Sequence, residues 1–168
     1  MRYSLCNHWK FTEQWSDAFC RGEPVSCRPV RLPHTCRELP LHYADPSDYE
    51  MVCGYRRTLT VPDAPRVFLR FDGAAHQVEI YLNGQLAGQH QGGYTGFTIE
   101  ITDLVHRGKE NLLAVRLDTR EDPSLPPFGF VIDYLTYGGL YREVWLETSP
   151  QSRVSDFFVY TPTLTAVS

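Results

Sequence analysis

The sequence predicts an all-β fold in which two sheets pack face to face as a β-sandwich. Apolar and polar residues alternate with the period of two that strands require, most clearly over residues 67–71 and 77–82. Asn83 and Gly84 follow directly and favour a two-residue hairpin turn, because both tolerate positive φ. Turn residues separate further strand patterns, and no segment has the pattern of a helix of normal length. Many short strands therefore make up the predicted fold.

The predicted strands follow one another through the rest of the chain, and turn residues such as Asp72 and Gly73 separate them. One helical turn is expected at residues 101–104, with Thr102 or Asp103 as its cap. The strand patterns cover residues 53–61, 67–71, 77–82, 85–89, 96–101, 112–118, 141–147 and 154–160.

Two stretches do not follow the strand pattern. Residues 1–50 are predicted to be irregular and to wrap around the core, because prolines interrupt every candidate helix there. Residues 119–139 form a long loop that is rich in glycine and in aromatic residues. Loops of this length inside a compact domain tend to be functional or disordered, and the aromatic content argues against disorder. This loop is therefore the predicted functional region.

The composition is that of one globular domain. The chain has 168 residues, of which 42% are hydrophobic, enough for a substantial core. Its net charge of -4 and its pI of about 5.8 indicate no basic face for nucleic acid or for an acidic membrane surface. The longest apolar runs are strand-sized, far below the roughly 20 residues that a membrane helix needs. We therefore expect neither nucleic acid nor a membrane as a partner.

The cysteines indicate a reducing environment. All of them lie in the first third of the chain, their number is odd, and no two have the spacing of a Cys-X-X-Cys motif. No secretory signal is apparent at the N-terminus. We therefore expect free thiols and a cytoplasmic location. The five residues are Cys6, Cys20, Cys27, Cys36 and Cys53.

Other polar residues have ordinary structural explanations. The carboxylates of residues 118–122 are close in sequence, but a solvated loop explains them better than a catalytic pair. His76 and His90 adjoin strand ends, where hydrogen-bonded structural imidazoles are the expectation. No compact zinc motif is formed by the remaining candidates, which are His34, Cys36, His42 and Cys53.

Several motifs occur in one order along the chain. They are Trp9-Lys10-Phe11, VRLPHT at 30–35, GYRR at 54–57, FDGAAH at 71–76, the YLNG hairpin at 81–84, HQGGYTGF at 90–97, NLLAV at 111–115 and DYLTYGGLYREVWL at 133–146. Together they resemble the N-terminal sugar-binding domain of glycoside hydrolase family 2, the family of β-galactosidases, β-glucuronidases and β-mannosidases. The resemblance covers most of the chain.

The resemblance implies a jelly-roll β-sandwich of the galactose-binding type over residues 1–150. Residues 151–168 would then hold the last strand and the start of a linker to an immunoglobulin-like domain, which a catalytic (β/α)8 barrel follows. The two catalytic glutamates of this retaining family lie in the barrel, and no Asn-Glu pair occurs in this chain. We therefore expect the chain to have no catalytic residues of its own and to be inactive alone.

The resemblance also implies a sugar site in the long loop. Its aspartate, here Asp133, would bind sugar hydroxyls and a sodium ion, both of which suit a carboxylate. The domain would need no other cofactor, although the barrel of the parent enzyme would hold magnesium. Aromatic rings of the loop would stack on the sugar ring or, alternatively, plug the end of the sandwich. These rings are Phe128, Phe130, Tyr134 and Tyr137.

Three functions are compatible with these observations. The first is a non-catalytic sugar-binding domain of a retaining β-glycosidase, most similar to the β-galactosidase type, whose partners are a β-glycoside and the other domains of its own chain. The second is a stand-alone, lectin-like carbohydrate-binding module. The third is a scaffold that forms contacts with neighbouring domains or with a second copy in a homo-oligomer. Where some family members have a sugar-binding asparagine, this sequence has Asp45, Ser47 and Asp48. The sequence therefore does not determine which sugar is bound.

Overall fold

The computed structural model of the chain describes residues 1–39, 45–125, 137–154 and 156–161. Its helices are the single turns α1 (Asp17–Cys20) and α2 (Pro46–Tyr49). Its strands are β1 (Arg2–Ser4), β2 (Trp9–Thr12), β3 (Arg28–Val30), β4 (His34–Thr35), β5 (Val52–Thr60), β6 (Arg66–Phe71), β7 (Gln77–Leu82), β8 (Gln85–Gln91), β9 (Phe97–Glu100), β10 (Glu110–Asp118), β11 (Gly139–Leu140) and β12 (Val144–Ser149).

The strands form two main antiparallel sheets. One has six strands in the order β3-β2-β5-β10-β7-β8, and the other has four in the order β1-β12-β6-β9. A small third sheet pairs β4 with β11. Both main sheets contain neighbours that are far apart in sequence, as in the pairs β5–β10 and β1–β12. The predicted all-β jelly-roll sandwich is confirmed.

The core lies between the two main sheets. Val78, Ile80 and Leu82 of β7 are buried, while the residues between them are partly exposed, as the period of two predicts. In β6 the alternation is less strict, because Phe68 on the outer face is also buried. Two guanidinium groups cover its ring, at 5.1 Å from Arg66 and 3.8 Å from Arg153. Cation–π contacts of this kind allow a strand to place a large apolar ring on its outer face.

The hairpin between β7 and β8 has the predicted turn. Asn83 and Gly84 both have positive φ, at 53° and 80°, and Leu82 pairs with Gln85. The Asn83 side chain also accepts a hydrogen bond from the backbone of Leu112 and donates one of 2.9 Å to Asn111 Oδ1. Asn111 is fully buried. The turn is therefore anchored to β10 by its side chain as well as by its backbone.

The prediction that residues 1–50 are irregular is wrong for the described part. Four short strands and both helical turns form there, and β1 pairs with β12 while β2 pairs with β5. Ser16 caps α1, since its hydroxyl accepts from Phe19 N at 3.2 Å. The buried guanidinium of Arg56 donates to the carbonyls of Phe19 and Glu23 at the other end of the turn, at 3.0 Å each.

Three smaller predictions also need correction. The strand expected at 154–160 does not form among its described residues, whose apolar side chains are exposed, including Phe157 at 80% and Phe158 at 83%. The strand expected from residue 141 begins instead at Val144. One turn does form at Ile101, but the Thr102 hydroxyl accepts from Val67 N in a neighbouring strand and does not cap the turn. Within the described ranges, no helix is long and apolar enough to cross a membrane.

Candidate functional site

A polar groove lies at one end of the six-stranded sheet, where β2 and β10 end and β5 begins. It contains one cavity of about 520 Å³ next to α2 and a second of about 500 Å³ next to β4. We call this surface the edge groove. Residues that line it are Glu13, Trp15, His34, Cys36, Arg37 and Glu50.

An ion pair lies between the two cavities. Arg37 Nη2 is 3.1 Å from Glu13 Oε2, and both side chains are more than two-fifths exposed. Exposed pairs of this kind contribute only about 0–1 kcal/mol, because water screens them. Sugar hydroxyls both donate and accept hydrogen bonds, so a carboxylate beside a guanidinium offers them both kinds of partner. The pair can therefore exchange its mutual contact for contacts with a polyhydroxylated ligand.

Trp15 provides an aromatic wall for the cavity next to α2. Its ring stacks on Tyr81, with centroids 5.6 Å apart, and it meets the edge of Phe19 at 6.2 Å. The backbone N–H of Trp15 donates to Val52 O at 2.8 Å, which ties this segment to the start of β5. The sequence analysis did not select Trp15 as a site residue. Its one signal was an aromatic ring among polar residues in the N-terminal segment.

The start of the long loop is fixed to the groove by Thr119. Its hydroxyl is buried, accepts from Met51 N at 2.9 Å and lies 3.0 Å from Tyr49 O, to which it can donate. Thr119 N also donates to Met51 O at 2.9 Å. Because Met51 lines the cavity next to α2, the loop leaves the sheet directly at the groove.

The end of the same loop is fixed to the groove by two glycines. Cys36 N donates to Gly138 O at 2.9 Å, and Gly139 pairs with Thr35 in the small sheet. A Cβ atom on Gly138 would lie 2.2 Å from Thr119 Cγ2, and one on Gly139 would lie 2.3 Å from His34 O. No real side chain tolerates such distances, so glycine is required for the two ends of the loop to meet.

The acidic residues that follow β10 are held in structural contacts. The expectation of a solvated loop is wrong for Asp118, which is 7% exposed and receives two hydrogen bonds from the Arg120 side chain, at 2.6 and 2.9 Å. Burial alone would raise the pKa of Asp118, but the hydrogen bonds and charge of Arg120 outweigh it and lower that pKa. Asp122 accepts from the backbone and hydroxyl of Ser124 and shapes the turn there.

The two histidines near strand ends differ. His90 stacks on Phe97, with centroids 4.1 Å apart, and lies 3.2 Å from the Thr95 hydroxyl, so the expectation of a satisfied imidazole is confirmed for it. The same expectation is wrong for His76, which is 3% exposed and whose Nε2 has no hydrogen-bond partner among the described residues. Burial lowers the pKa of His76 and favours its neutral form.

A chain of polar contacts runs from the groove into the core. His34 Nδ1 is 2.8 Å from the Tyr55 hydroxyl, which is 3.5 Å from Cys36 Sγ, and Cys36 Sγ is 3.2 Å from Cys53 Sγ. Burial, with a smaller contribution from Arg28, lowers the pKa of His34 to about 4, so its ring is neutral at pH 7. No group of three or more histidine, cysteine, aspartate or glutamate residues in the described ranges could hold a metal ion.

Of the sugar-binding residues expected in the loop, Tyr137 lies among the described residues and the others do not. Asp133, Tyr134 and Phe128 lie outside the described residues, and their roles, like the sodium site at Asp133, stay predictions. Tyr137 is described. It directly precedes Gly138, and its side chain is 53% exposed, so it does not plug the end of the sandwich.

The chain is thus a jelly-roll β-sandwich with a polar groove at one end, and lectin domains are among the proteins built on this fold. The family model for the sugar binding domain of glycosyl hydrolases family 2 matches residues 29–150. This chain belongs to that family, and the resemblance seen in its motifs is confirmed.

The relatives are glycosidases. A β-galactosidase of Thermoanaerobacter pseudethanolicus is 38% identical over 133 residues, which is 77% of this chain and 18% of that protein. A β-galactosidase of Thermoanaerobacterium thermosulfurigenes is 39% identical over 83% of this chain and 20% of its own length. The crystal structure of a Bacteroides uniformis β-glucuronidase has a TM-score of 0.74 and 30% identity, over 87% of this chain and 17% of that one. The chain thus spans about a fifth of the length of such relatives.

Proposed function

We propose that the chain forms one wall of the substrate pocket in a retaining β-glycosidase of the β-galactosidase type and carries out no chemistry alone. The observation that carries this proposal is the fixing of both ends of the long loop at the edge groove, by Thr119 at its start and by Gly138 and Gly139 at its end. A loop held at both ends on a rigid sandwich can present polar groups to a ligand with little loss of conformational entropy on binding.

Within this pocket we assign complementary roles to the loop and the groove. Asp133 accepts hydrogen bonds from two sugar hydroxyls and is one oxygen ligand of a sodium ion. Tyr137, with Tyr134 and Phe128, supplies aromatic faces that suit the C–H face of a pyranose ring. The exposed Glu13 and Arg37 offer an acceptor and donors to the remaining hydroxyls.

The catalytic carboxylates of the proposed enzyme lie in another domain of the same polypeptide. A retaining glycosidase needs two carboxyl groups about 5–5.5 Å apart, one of them free to attack the sugar. Here Asp118 is engaged by Arg120 and Asp122 by Ser124. These contacts support structural roles for the acidic residues after β10.

The other domains of the polypeptide are the proposed partners, including an immunoglobulin-like domain and a (β/α)8 barrel. Support comes from the exposed apolar side chains after the sandwich, because a run of this kind in water usually covers another surface. Phe157, Phe158 and Val159 are 80%, 83% and 60% exposed. Alternatively, a second copy of the chain covers this run. The mass of the isolated protein in solution distinguishes a dimer of this kind from a monomer whose run covers another domain.

Binding of galactosides to the purified chain tests the assigned site. We expect weak, millimolar binding in a calorimetric or NMR titration, and its loss in Asp133→Ala. Asp63→Ala is the matched control, because the Asp63 side chain is fully exposed and its one ion pair, with Arg107, is long at 3.5 Å. Equal binding by both variants would contradict the role of Asp133.

A second assay separates the proposed domain from an enzyme. The pure chain should not hydrolyse nitrophenyl galactosides or glucuronides at any protein concentration. Turnover that scales with protein and survives further purification would overturn the non-catalytic assignment. Tight binding by the chain alone would instead favour the lectin-like module, while a complete lack of binding combined with self-association would favour the scaffold.

A further inference from the structure

Cys36 and Cys53 are neighbours in space although they are far apart in the chain. Their sulfur atoms are 3.2 Å apart, and both residues are buried, at 1% and 0% exposure. Cys53 lies in β5, and Cys36 directly follows β4. Both thiols are free. Two thiols held in contact by different strands need only small side-chain movements to form a covalent bond.

The two thiols differ in their surroundings. Both belong to the buried core, but Cys36, unlike Cys53, also contributes to the lining of the 500 Å³ cavity. Hydrogen bonds from Cys53 and Tyr55 lower the pKa of the Cys36 thiol despite its burial. Burial raises the pKa of the Cys53 thiol. Because Cys36 lines the cavity and Cys53 does not, an oxidant that enters the cavity reaches Cys36 first, and its lowered pKa also favours the reactive thiolate.

The contacts of Tyr55 also connect this pair with the groove. Its hydroxyl lies between Cys36 Sγ and His34 Nδ1, at 3.5 and 2.8 Å. His34 is neutral at pH 7 and can accept a hydrogen bond at Nδ1. Tyr55 thus links Cys36 through a chain of hydrogen bonds to a ring that lines the cavity.

We propose that Cys36 and Cys53 form a redox-modification site in which hydrogen peroxide, entering through the cavity next to β4, converts the two thiols into a disulfide. The bond would cross-link the segment after β4 to β5. That segment holds the end of the long loop, since Cys36 N is bonded to Gly138 O. Oxidation therefore rigidifies one side of the edge groove.

The reaction balances in two steps. The Cys36 thiolate attacks one peroxide oxygen, the O–O bond breaks, and the departing hydroxide takes up a proton to give water and a Cys36 sulfenic acid. Cys53 Sγ then attacks the sulfenic sulfur, the S–S bond forms, and the hydroxyl group leaves with the Cys53 proton as a second water. The two thiols lose two electrons and two protons, and the peroxide gains them.

Differential alkylation of the whole chain tests the proposal without any substitution. The folded protein is treated with peroxide, the remaining thiols are blocked, and tandem mass spectrometry locates the cross-link. We expect a Cys36–Cys53 peptide, reversed by a dithiol reductant, while Cys27 stays free. The oxidised form should melt roughly 5–10 °C higher than the reduced form, because the bond closes a loop between residues 17 apart.

Two variants test the order of events. In Cys53→Ser, a sulfenic acid trapped by dimedone should accumulate at Cys36, whereas Cys27→Ser should oxidise as the natural chain does. The cross-link located in the natural chain tests the proposal even if Cys53→Ser fails to fold. The proposal is overturned if peroxide leaves both Cys36 and Cys53 open to alkylation, or if either of them is linked only to Cys20 or Cys27.

Discussion

Gly139→Ala tests how closely the long loop must approach β4. Gly139 has a φ of 147°, a region that only glycine occupies comfortably, and forcing another residue there costs about 1–3 kcal/mol. The new Cβ atom would also lie 2.3 Å from His34 O and 2.9 Å from Thr35 Cα, both of them backbone atoms. Displacing a packed backbone adds about 1–3 kcal/mol. The expected total loss in the free energy of unfolding is about 2–6 kcal/mol.

Gly84→Ala is the matched control for this variant. Gly84 also has positive φ, at 80°, but nothing lies within 4 Å of a Cβ atom added there. Gly84→Ala should therefore lose only the free energy that the positive φ costs a residue with a side chain, about 1–2 kcal/mol. Urea unfolding, monitored by circular dichroism and extrapolated linearly to zero urea, gives the free energy of unfolding of both variants. If Gly139→Ala is no more destabilising than Gly84→Ala, the close approach of the loop end to β4 does not hold in solution.

Two other predictions concern buried polar groups. Asn111→Ala should lower the free energy of unfolding by about 2–4 kcal/mol, because it removes the hydrogen bonds of Asn111 with His106, Lys109 and Asn83. Urea unfolding measures this loss, and a value below about 1 kcal/mol would contradict the prediction. His34 has a pKa of about 4 when folded, below its unfolded value, so the unfolded state binds more protons and stability falls as pH drops from about 6.5 towards 4. The loss of unfolding free energy reaches at most about 3 kcal/mol. The urea midpoint of His34→Gln should therefore change less with pH over this window than the midpoint of the natural chain.

Local patterns determined which parts of the fold could be predicted. The alternation in β7 and the Asn83-Gly84 turn depend on residues adjacent in sequence, and the structure has both at the predicted positions. The strands of the N-terminal segment were missed because each has only two to four residues, too few to show a period. The apolar run at 154–160 has the pattern of a strand, but its described residues do not form one.

The candidate site depends on contacts that no local pattern contains. The aromatic and glycine-rich composition of residues 119–139 predicted a functional loop, and that role stays a prediction. It could not indicate that Thr119 would bond to Met51 or that Gly139 would pass against His34, since these partners are 68 and more than 100 residues away. The contact between Cys36 and Cys53 likewise depends on how β4 packs beside β5.

The pairing of β1 with β12 has a consequence for synthesis on the ribosome. Arg2 pairs with Glu147, so β1 has no partner until almost the whole sandwich has been translated. At about 5–20 residues per second, this delay is roughly 7–30 s. During that time β6 also lacks its β12 neighbour, and its apolar face is a target for aggregation or for chaperones. A slow, late closure of this kind makes the nascent chain far more vulnerable than the finished sandwich.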